Sequence, residues 1–402
     1  MKSVSRWSVV NKVMYLIIVI WLLQVIGNYV YMFVKYDFQA LDFHSFYSAA
    51  QILVNEPKNL YNFQIQEQYQ NILLTNNHLK NLIPGNEYLP FINPPLFLLP
   101  YLVLIQMPFN TAYYLTVFIN ICLTLTAMGL LYKLFQFSTS SLLLVGLLVF
   151  SFAPTFSTIF LAQSSLLTLL IFLGIYILLK HQKYFYTGLL ASLLLYKPQM
   201  ALVTIIYLIF MKNRSVILGL IIGSLTILVV CIILTQGHLP NLIVAIPEFL
   251  AHTSTGPSSR VSWLGFFAQV DKYIGNVPVL LLCTIFSILT IIWSLLAAAT
   301  INVNSSRFPL VYSIVIITTL LSGIHMLPPE IVLLIFPLFY FLKHHYSTKL
   351  LVFIFIGWVI YLLSIFNFLT PLYPQRLPFL PTLYLVLFLY LLIRQLKTIQ
   401  KT

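Results

Sequence analysis

Acidic side chains are scarce in this 402-residue chain, which holds eight Asp and Glu. One of them, Asp42, stands directly before a run of aromatics and hydroxyls, "DFHSFYSAA". A lone carboxylate at the edge of an apolar segment can act as a general base on an alcohol that comes within hydrogen-bond reach. The same position also suits a helix N-terminus, where a carboxylate is favoured by capping and by the dipole. Asp37 is a competing base but lacks the motif that follows Asp42. Lys197 lies inside the apolar stretch "LLLYKPQMAL". A lysine at such a place is costly and marks a functional position, with snorkelling to the interface as the ordinary alternative. Arg260, in the loop "TGPSSRVSW", is a second cation that can meet an anionic leaving group. Gln163, at another apolar boundary, offers an amide to hydroxyl-rich ligands. His325 and Glu330 sit in "SGIHMLPPEIVLL", near the start of a late apolar segment. His325 is read as a polar contact or proton partner, and Glu330 follows two prolines where a carboxylate suits a helix start. No Asp-x-Asp occurs and the acids are spread singly, so no metal site and no cofactor is expected.

The elements that position these residues must be membrane helices. The chain is 60% hydrophobic and 7% charged, with a mean hydropathy of +0.96. A soluble domain carries roughly 25% charged residues. Runs such as 13–34, 142–152 and 216–234 are nearly free of charge, and a bilayer crossing takes about 20 such residues. The class is an all-α polytopic membrane protein, a single integral-membrane domain over 1–402. Its net charge of +13 is not a nucleic-acid signature, because no basic cluster is interleaved with aromatics on a polar module. Cys122, Cys231 and Cys283 fall in separate apolar runs, which argues against a disulfide framework.

The basic residues set a topology. Lys2, Arg6 and Lys12 precede the first span, and Lys133, Lys180, Lys183, Lys212, Arg214, Arg307, Lys343 and Arg394 flank later ones. Placing them all in the cytoplasm leaves every acid on or near the other side, as the positive-inside rule favours. The first run is too long for a signal-peptide core and is read as a retained span with a cytoplasmic N-terminus. About ten to twelve membrane segments result, some short or re-entrant. Between Lys183 and Lys212 the chain must leave and return in two halves of about 13 residues each, with Lys197-Pro198 at the vertex. A non-helical vertex at membrane depth needs protein or a water-filled cavity around it, so a polar outer cavity is expected there. Residues 36–90 form the first extracytoplasmic loop, with two helical patterns. In 42–55 the apolar face is opposed by His44, Ser48, Gln51 and Asn55, which predicts a helix lying flat on the interface. Residues 236–275 form a second outer loop.

Several pieces in order resemble glycosyltransferase family 87, the polyprenol-phosphate-mannose-dependent enzymes of the GT-C superfamily. They are Asp-Phe-x-x-Phe-Tyr-x-Ala-Ala at 42–50, Leu60-Tyr61, "NPPLFLLP" at 93–100, "AQSSLLTLL" at 162–170, "KPQ" at 197–199, and a late His with an acid five positions on. The chain departs from that pattern at Asn93, where the family often has Tyr, at Ala162, where it usually has Gly, and at Glu330, where Asp is common. The resemblance implies a GT-C-like bundle and an inverting transfer of a hexose, mannose first. The donor is a polyprenyl-phosphate-linked sugar, and the acceptor hydroxyl belongs to a glycolipid or glycan on the extracytoplasmic side. It implies Asp42 as the catalytic base, with Tyr47, Gln163, Lys197, Arg260, His325 and Glu330 binding substrate. The partners are the lipid donor, the acceptor and membrane lipid, with no nucleic acid, and the expected location is a bacterial inner membrane. A transporter or flippase of lipid-linked sugars would share the cavity and the cations but need no base. No sustained inverted repeat of the transporter kind is present.

Overall fold

The computed structural model describes residues 41–77, 88–137, 142–252, 262–298, 301–324, 326–344 and 380–400, with isolated positions elsewhere, Arg260 among them. Every element among the described residues is helical. In chain order they are α1 (Asp42–Asn55), α2 (Phe63–Asn76), α3 (Leu99–Leu104), α4 (Phe109–Leu134), α5 (Leu142–Ser151), α6 (Ala153–Phe160), α7 (Ser165–Lys180) and α8 (Tyr184–Ser192). There follow α9 (Pro198–Phe210), α10 (Arg214–Leu234), α11 (Asn241–His252), α12 (Trp263–Ile274), α13 (Val279–Ala298), α14 (Phe308–Ser322), α15 (Ile335–His344) and α16 (Leu380–Gln400). Among the described residues α4, α10 and α13 are long and apolar enough to cross a bilayer, and α6 with α7 makes a fourth candidate bent by 117°. Several shorter apolar helices complete a polytopic membrane bundle. From Leu310 to Ser322 every residue of α14 is buried, which places this helix at the centre.

Proline and cap chemistry set the boundaries. Asn62 accepts from the amides of Gln64 and Ile65 and opens α2; Asn213 does the same for α10 through Ser215 and Val216. Pro198, directly after Lys197, occupies the first turn of α9, where its missing N–H costs nothing.

The first outer helix differs from its sequence expectation. His44 and Ser48, half of its polar face, are fully buried, so α1 is enclosed rather than laid on an interface. The cover is the segment 88–98. Two glutamines one turn apart on α2 hold it: Gln66 donates to the Phe91 carbonyl (3.0 Å) and accepts from the Phe91 amide (2.7 Å). Gln70 pairs the same way with Leu89 (2.8 and 2.9 Å). Each side-chain amide thus takes the place of a neighbouring strand and satisfies backbone groups that burial would otherwise leave unmade. Ser45 Oγ of α1 donates to the Leu89 carbonyl (2.7 Å) from the other side.

Glycines fix the course of the chain around Lys197. A Cβ on Gly219 would overlap the Phe185 carbonyl, one on Gly188 the Val216 carbonyl, and one on Gly223 the Ser192 hydroxyl. Small residues let membrane helices approach backbone to backbone. Positions 185, 188 and 192 meet 219, 216–220 and 223 in rising order, so α8 and α10 run side by side in the same direction. The intervening α9 therefore has to run back, and the chain between Lys183 and Lys212 is a re-entrant hairpin with Lys197 at its tip.

The basic loops pair off. Lys180 Nζ donates to the Val303 carbonyl (3.2 Å), Gln182 to Asn304 (3.4 Å), and Lys343 Nζ to the Gln136 carbonyl (2.8 Å).

Candidate active site

Four residues from distant parts of the chain meet at helix breaks. Asp42 opens α1, Gln163 lies in the turn between α6 and α7, Lys197 is the tip of the α8–α9 hairpin, and Glu330 lies in the 3-10 segment Pro328–Leu334. None of them sits in a helix interior, and the breaks are what free their side chains to converge.

The turn at 161–164 leaves carbonyls without helical partners, and neighbouring elements supply donors to them. Tyr113 Oη donates to the Phe160 carbonyl (2.8 Å) and Tyr101 Oη to that of Ala162 (3.2 Å), while Tyr196 Oη joins the Thr168 amide on the Ser164 carbonyl (3.1 and 3.0 Å). Non-helical backbone survives at membrane depth only with such partners. Ala162 has φ 55°, in the left-handed region, and this aims Gln163 inward. Glu330 is fixed in turn. Its Oε2 accepts from the Leu327 amide (3.0 Å), while the carbonyl just before it, of Pro329, accepts from Thr158 Oγ1 of α6 (3.1 Å).

The side chains form one continuous relay. Lys197 Nζ lies 3.1 Å from Glu330 Oε1 and donates to Gln163 Oε1 at 3.3 Å. The other end of the Gln163 amide hydrogen-bonds Asp42. One amide orientation serves both contacts, with nitrogen toward the carboxylate and oxygen toward the ammonium. Lys197 and Glu330 are each 3% exposed and Gln163 is 5% exposed, whereas Asp42 keeps a partly accessible face. The Asp42 carboxyl is raised from its usual 3.8 to about 6. Burial is the main cause and the Glu330 charge adds to it; the Gln163 hydrogen bond and Lys197 oppose it. A carboxyl tuned toward neutrality is suited to taking a proton at neutral pH.

An aromatic wall closes the back of the site, and sequence reasoning did not single it out. The Phe97 ring centroid is 5.9 Å from Lys197 Nζ, and Phe97 stacks on Tyr101 and Tyr196 at 5.8 Å each. Tyr101 also lies near Asp42.

Tyr47 and Arg260 make no interaction with this relay among the described residues. Tyr47 donates from Oη to the Met107 carbonyl (2.7 Å) and packs on Phe109, which ties α1 to the start of α4. Arg260 is buried beside Cys283 of α13, and no interaction among the described residues joins it to Asp42 or Lys197. His325 lies outside the described residues. Among the described residues no three His, Cys, Asp or Glu side chains gather as a metal-binding group.

Comparison with known proteins gives one match. Residues 91–323, more than half of the chain, match the family described as glycosyltransferase family 87. Gln163, Lys197 and Arg260 fall inside that stretch, and Asp42 and Glu330 outside it. No curated protein and no solved structure matches the chain. A helical membrane bundle with this family signature over most of its length identifies the chain as a member of glycosyltransferase family 87.

Proposed function

We propose that this membrane glycosyltransferase moves a hexose, mannose, from a polyprenyl-phosphate-linked donor to an acceptor hydroxyl, with Asp42 as general base. The observation that carries the reading is the relay of Asp42, Gln163, Lys197 and Glu330, in which only the residue at one end, Asp42, is less than fully buried. In the reaction Asp42 takes the proton of the acceptor hydroxyl as its oxygen attacks the anomeric carbon. The bond from that carbon to the phosphate oxygen breaks, and the lipid phosphate leaves with the electron pair. A single displacement of this kind inverts the anomeric configuration. Gln163 holds the carboxylate in place, and the buried cations Lys197 and Arg260 offset the charge on the departing phosphate. Glycolipids or glycans are the acceptors.

The orientation follows from charge. The basic loops lie in the cytoplasm with the N-terminus, Asp42 faces the extracytoplasmic side, and the membrane is the inner or plasma membrane.

The test is sugar transfer in membranes supplied with labelled polyprenyl-phosphate-mannose, comparing the wild type with Asp42→Asn. The expected outcome is loss of transfer by 10²-fold or more, the scale of general-base catalysis, with unchanged protein yield and fold. Wild-type transfer by Asp42→Asn would overturn the assignment. Unaltered movement of a lipid-linked sugar across the membrane, without transfer, would favour a flippase.

A further inference from the structure

The direction of the Gln163 side chain is set by the peptide that precedes it. The end of α6 closes as a Schellman turn: the Ala162 amide donates to the Ile159 carbonyl (3.3 Å) and the Gln163 amide to the Thr158 carbonyl (2.9 Å). Ala162 fills the left-handed position, φ 55°, that such a turn ordinarily gives to glycine. Gln163 fills the next position, which frequently carries an apolar residue packed back on the helix. Here that residue is an amide turned toward Lys197 and Asp42. Both turn amides are taken up by the helix end, so what remains to fix the plane of the Ala162–Gln163 peptide is its carbonyl. That carbonyl accepts from Tyr101 Oη at 3.2 Å. The peptide unit is rigid, so rotating it changes ψ of Ala162 and φ of Gln163 together and swings the Gln163 side chain away from its partners.

The same tyrosine packs on the other partner's helix. Its ring centroid is 6.1 Å from that of Phe43, the residue after Asp42, and 5.5 Å from that of Phe46, one turn on. Phe97 stacks on it at 5.8 Å. Tyr101 is 5% exposed and Phe43 0%, so neither ring has room to shift. Tyr101 of α3 therefore touches both elements whose side chains meet in the Asp42–Gln163 hydrogen bond. It touches α1 through its ring and the α6–α7 turn through its hydroxyl. Tyr101 lies near Asp42, but a phenol has one proton to donate, and the Ala162 carbonyl receives it. Its influence on the carboxylate then runs through Gln163.

We propose that Tyr101 is a positioning residue for the general base: it holds the turn before Gln163 at a fixed offset from the start of α1 and so keeps the Gln163 amide on the Asp42 carboxylate. The proposal rests on the reading of Asp42 given above. The neighbouring tyrosines do not share this task. Tyr113 holds the Phe160 carbonyl, on the helical side of the turn, and Tyr196 holds that of Ser164, where the Thr168 amide already donates. Among the described residues the charged groups acting on Asp42 are Glu330 and Lys197, and both remain when the phenol oxygen is removed. On its own helix, His44 pairs Nδ1 with the Leu41 carbonyl.

The test is Tyr101→Phe, which keeps the ring and removes the hydroxyl. The midpoint of the Asp42 titration is read in two ways. One is kcat/KM for transfer from labelled polyprenyl-phosphate-mannose between pH 5 and 8. The other is the pH dependence of Tm, measured against Asp42→Asn, for the detergent-solubilised full-length protein. The Gln163 hydrogen bond holds the Asp42 value down, so loosening it is expected to move the midpoint upward, as in Gln163→Leu. A move of about one pH unit lowers kcat/KM about fivefold at pH 6 and by about a tenth at pH 8. Tyr101→Phe added to Gln163→Leu is expected to give no further move, because the two act in series. If Tyr101→Phe does not fold, the same comparison is made in an Ala162→Gly background, where glycine takes the left-handed conformation freely. An unmoved midpoint, or a loss of activity that is uniform from pH 5 to 8, would overturn the proposal. So would a full second move on top of Gln163→Leu, which would put the tyrosine directly on the carboxylate. An upward move read from Tm, with wild-type transfer by Asp42→Asn, would leave Tyr101 holding the Asp42–Gln163 contact and remove the base reading. An unmoved midpoint in both readouts, with transfer lost in Asp42→Asn, would remove the role of Tyr101 alone.

Discussion

The Asp42 carboxyl, raised to about 6, ties catalysis and stability to the same proton. As a base it works only when ionised. The kcat/KM for transfer should be about half-maximal near pH 6, about one tenth of maximal at pH 5 and about nine tenths at pH 7. Stability runs the other way. The folded-state value lies above the unfolded value, so the native protein holds this proton more tightly. The stabilisation from that proton is complete below about pH 4 and is lost as pH rises through about 6. Each tenfold in proton affinity is about 1.4 kcal/mol, so ionised Asp42 costs the fold at most about 3 kcal/mol at pH 7. This is an upper bound because the residue is only partly buried. Asp42→Asn should therefore unfold at a higher temperature than the wild type at pH 7 while transferring no sugar. The neighbours fix the sign of further shifts. Removing the Glu330 charge with Glu330→Gln should move the half-maximal pH downward, and Gln163→Leu and Lys197→Met should each move it upward. The assay is transfer of labelled sugar in membranes between pH 5 and 8, with thermal unfolding measured alongside. A flat profile across that range, or a downward shift in Lys197→Met, would refute the coupling.

The ion pair and the glycine seam give two more outcomes. Lys197→Met leaves a buried carboxylate at Glu330 unpaired and should cost about 3–5 kcal/mol, while the double variant Lys197→Met with Glu330→Leu should recover most of it, read by denaturation in detergent. Gly219→Val places atoms onto the Phe185 carbonyl, so α8 and α10 must separate. A loss of about 2 kcal/mol or more in stability is expected, together with reduced transfer, because the hairpin that carries Lys197 shifts with α8.

The legible parts of this fold were those with a charge or a proline to mark them. The hairpin tip at Lys197-Pro198 could be found because basic residues at 183 and 212 left too little chain for two crossings. The 117° bend between α6 and α7, at 161–164, was not anticipated. It has neither Gly nor Pro, and Ala162 takes the left-handed conformation that glycine would have announced. The aromatic wall was hidden for a different reason. With aromatics at 15% of the chain, Phe97, Tyr101 and Tyr196 look like any other core residues until the break brings Lys197 against them. The enclosure of α1 depends on Gln66 and Gln70 holding a segment some twenty residues away, and a local periodicity carries no information about such a partner.

The glycine contacts between α8 and α10 also act as a ruler. They lock the start of the hairpin to a long helix, so the height and heading of its tip are counted out in residues from Gly188. One residue added to α8 beyond that point would lift the ammonium by about 1.5 Å and swing it through about 100°. Length between seam and tip is therefore under as tight a constraint as the identity of Lys197 itself, and natural variation in this stretch should spare the count.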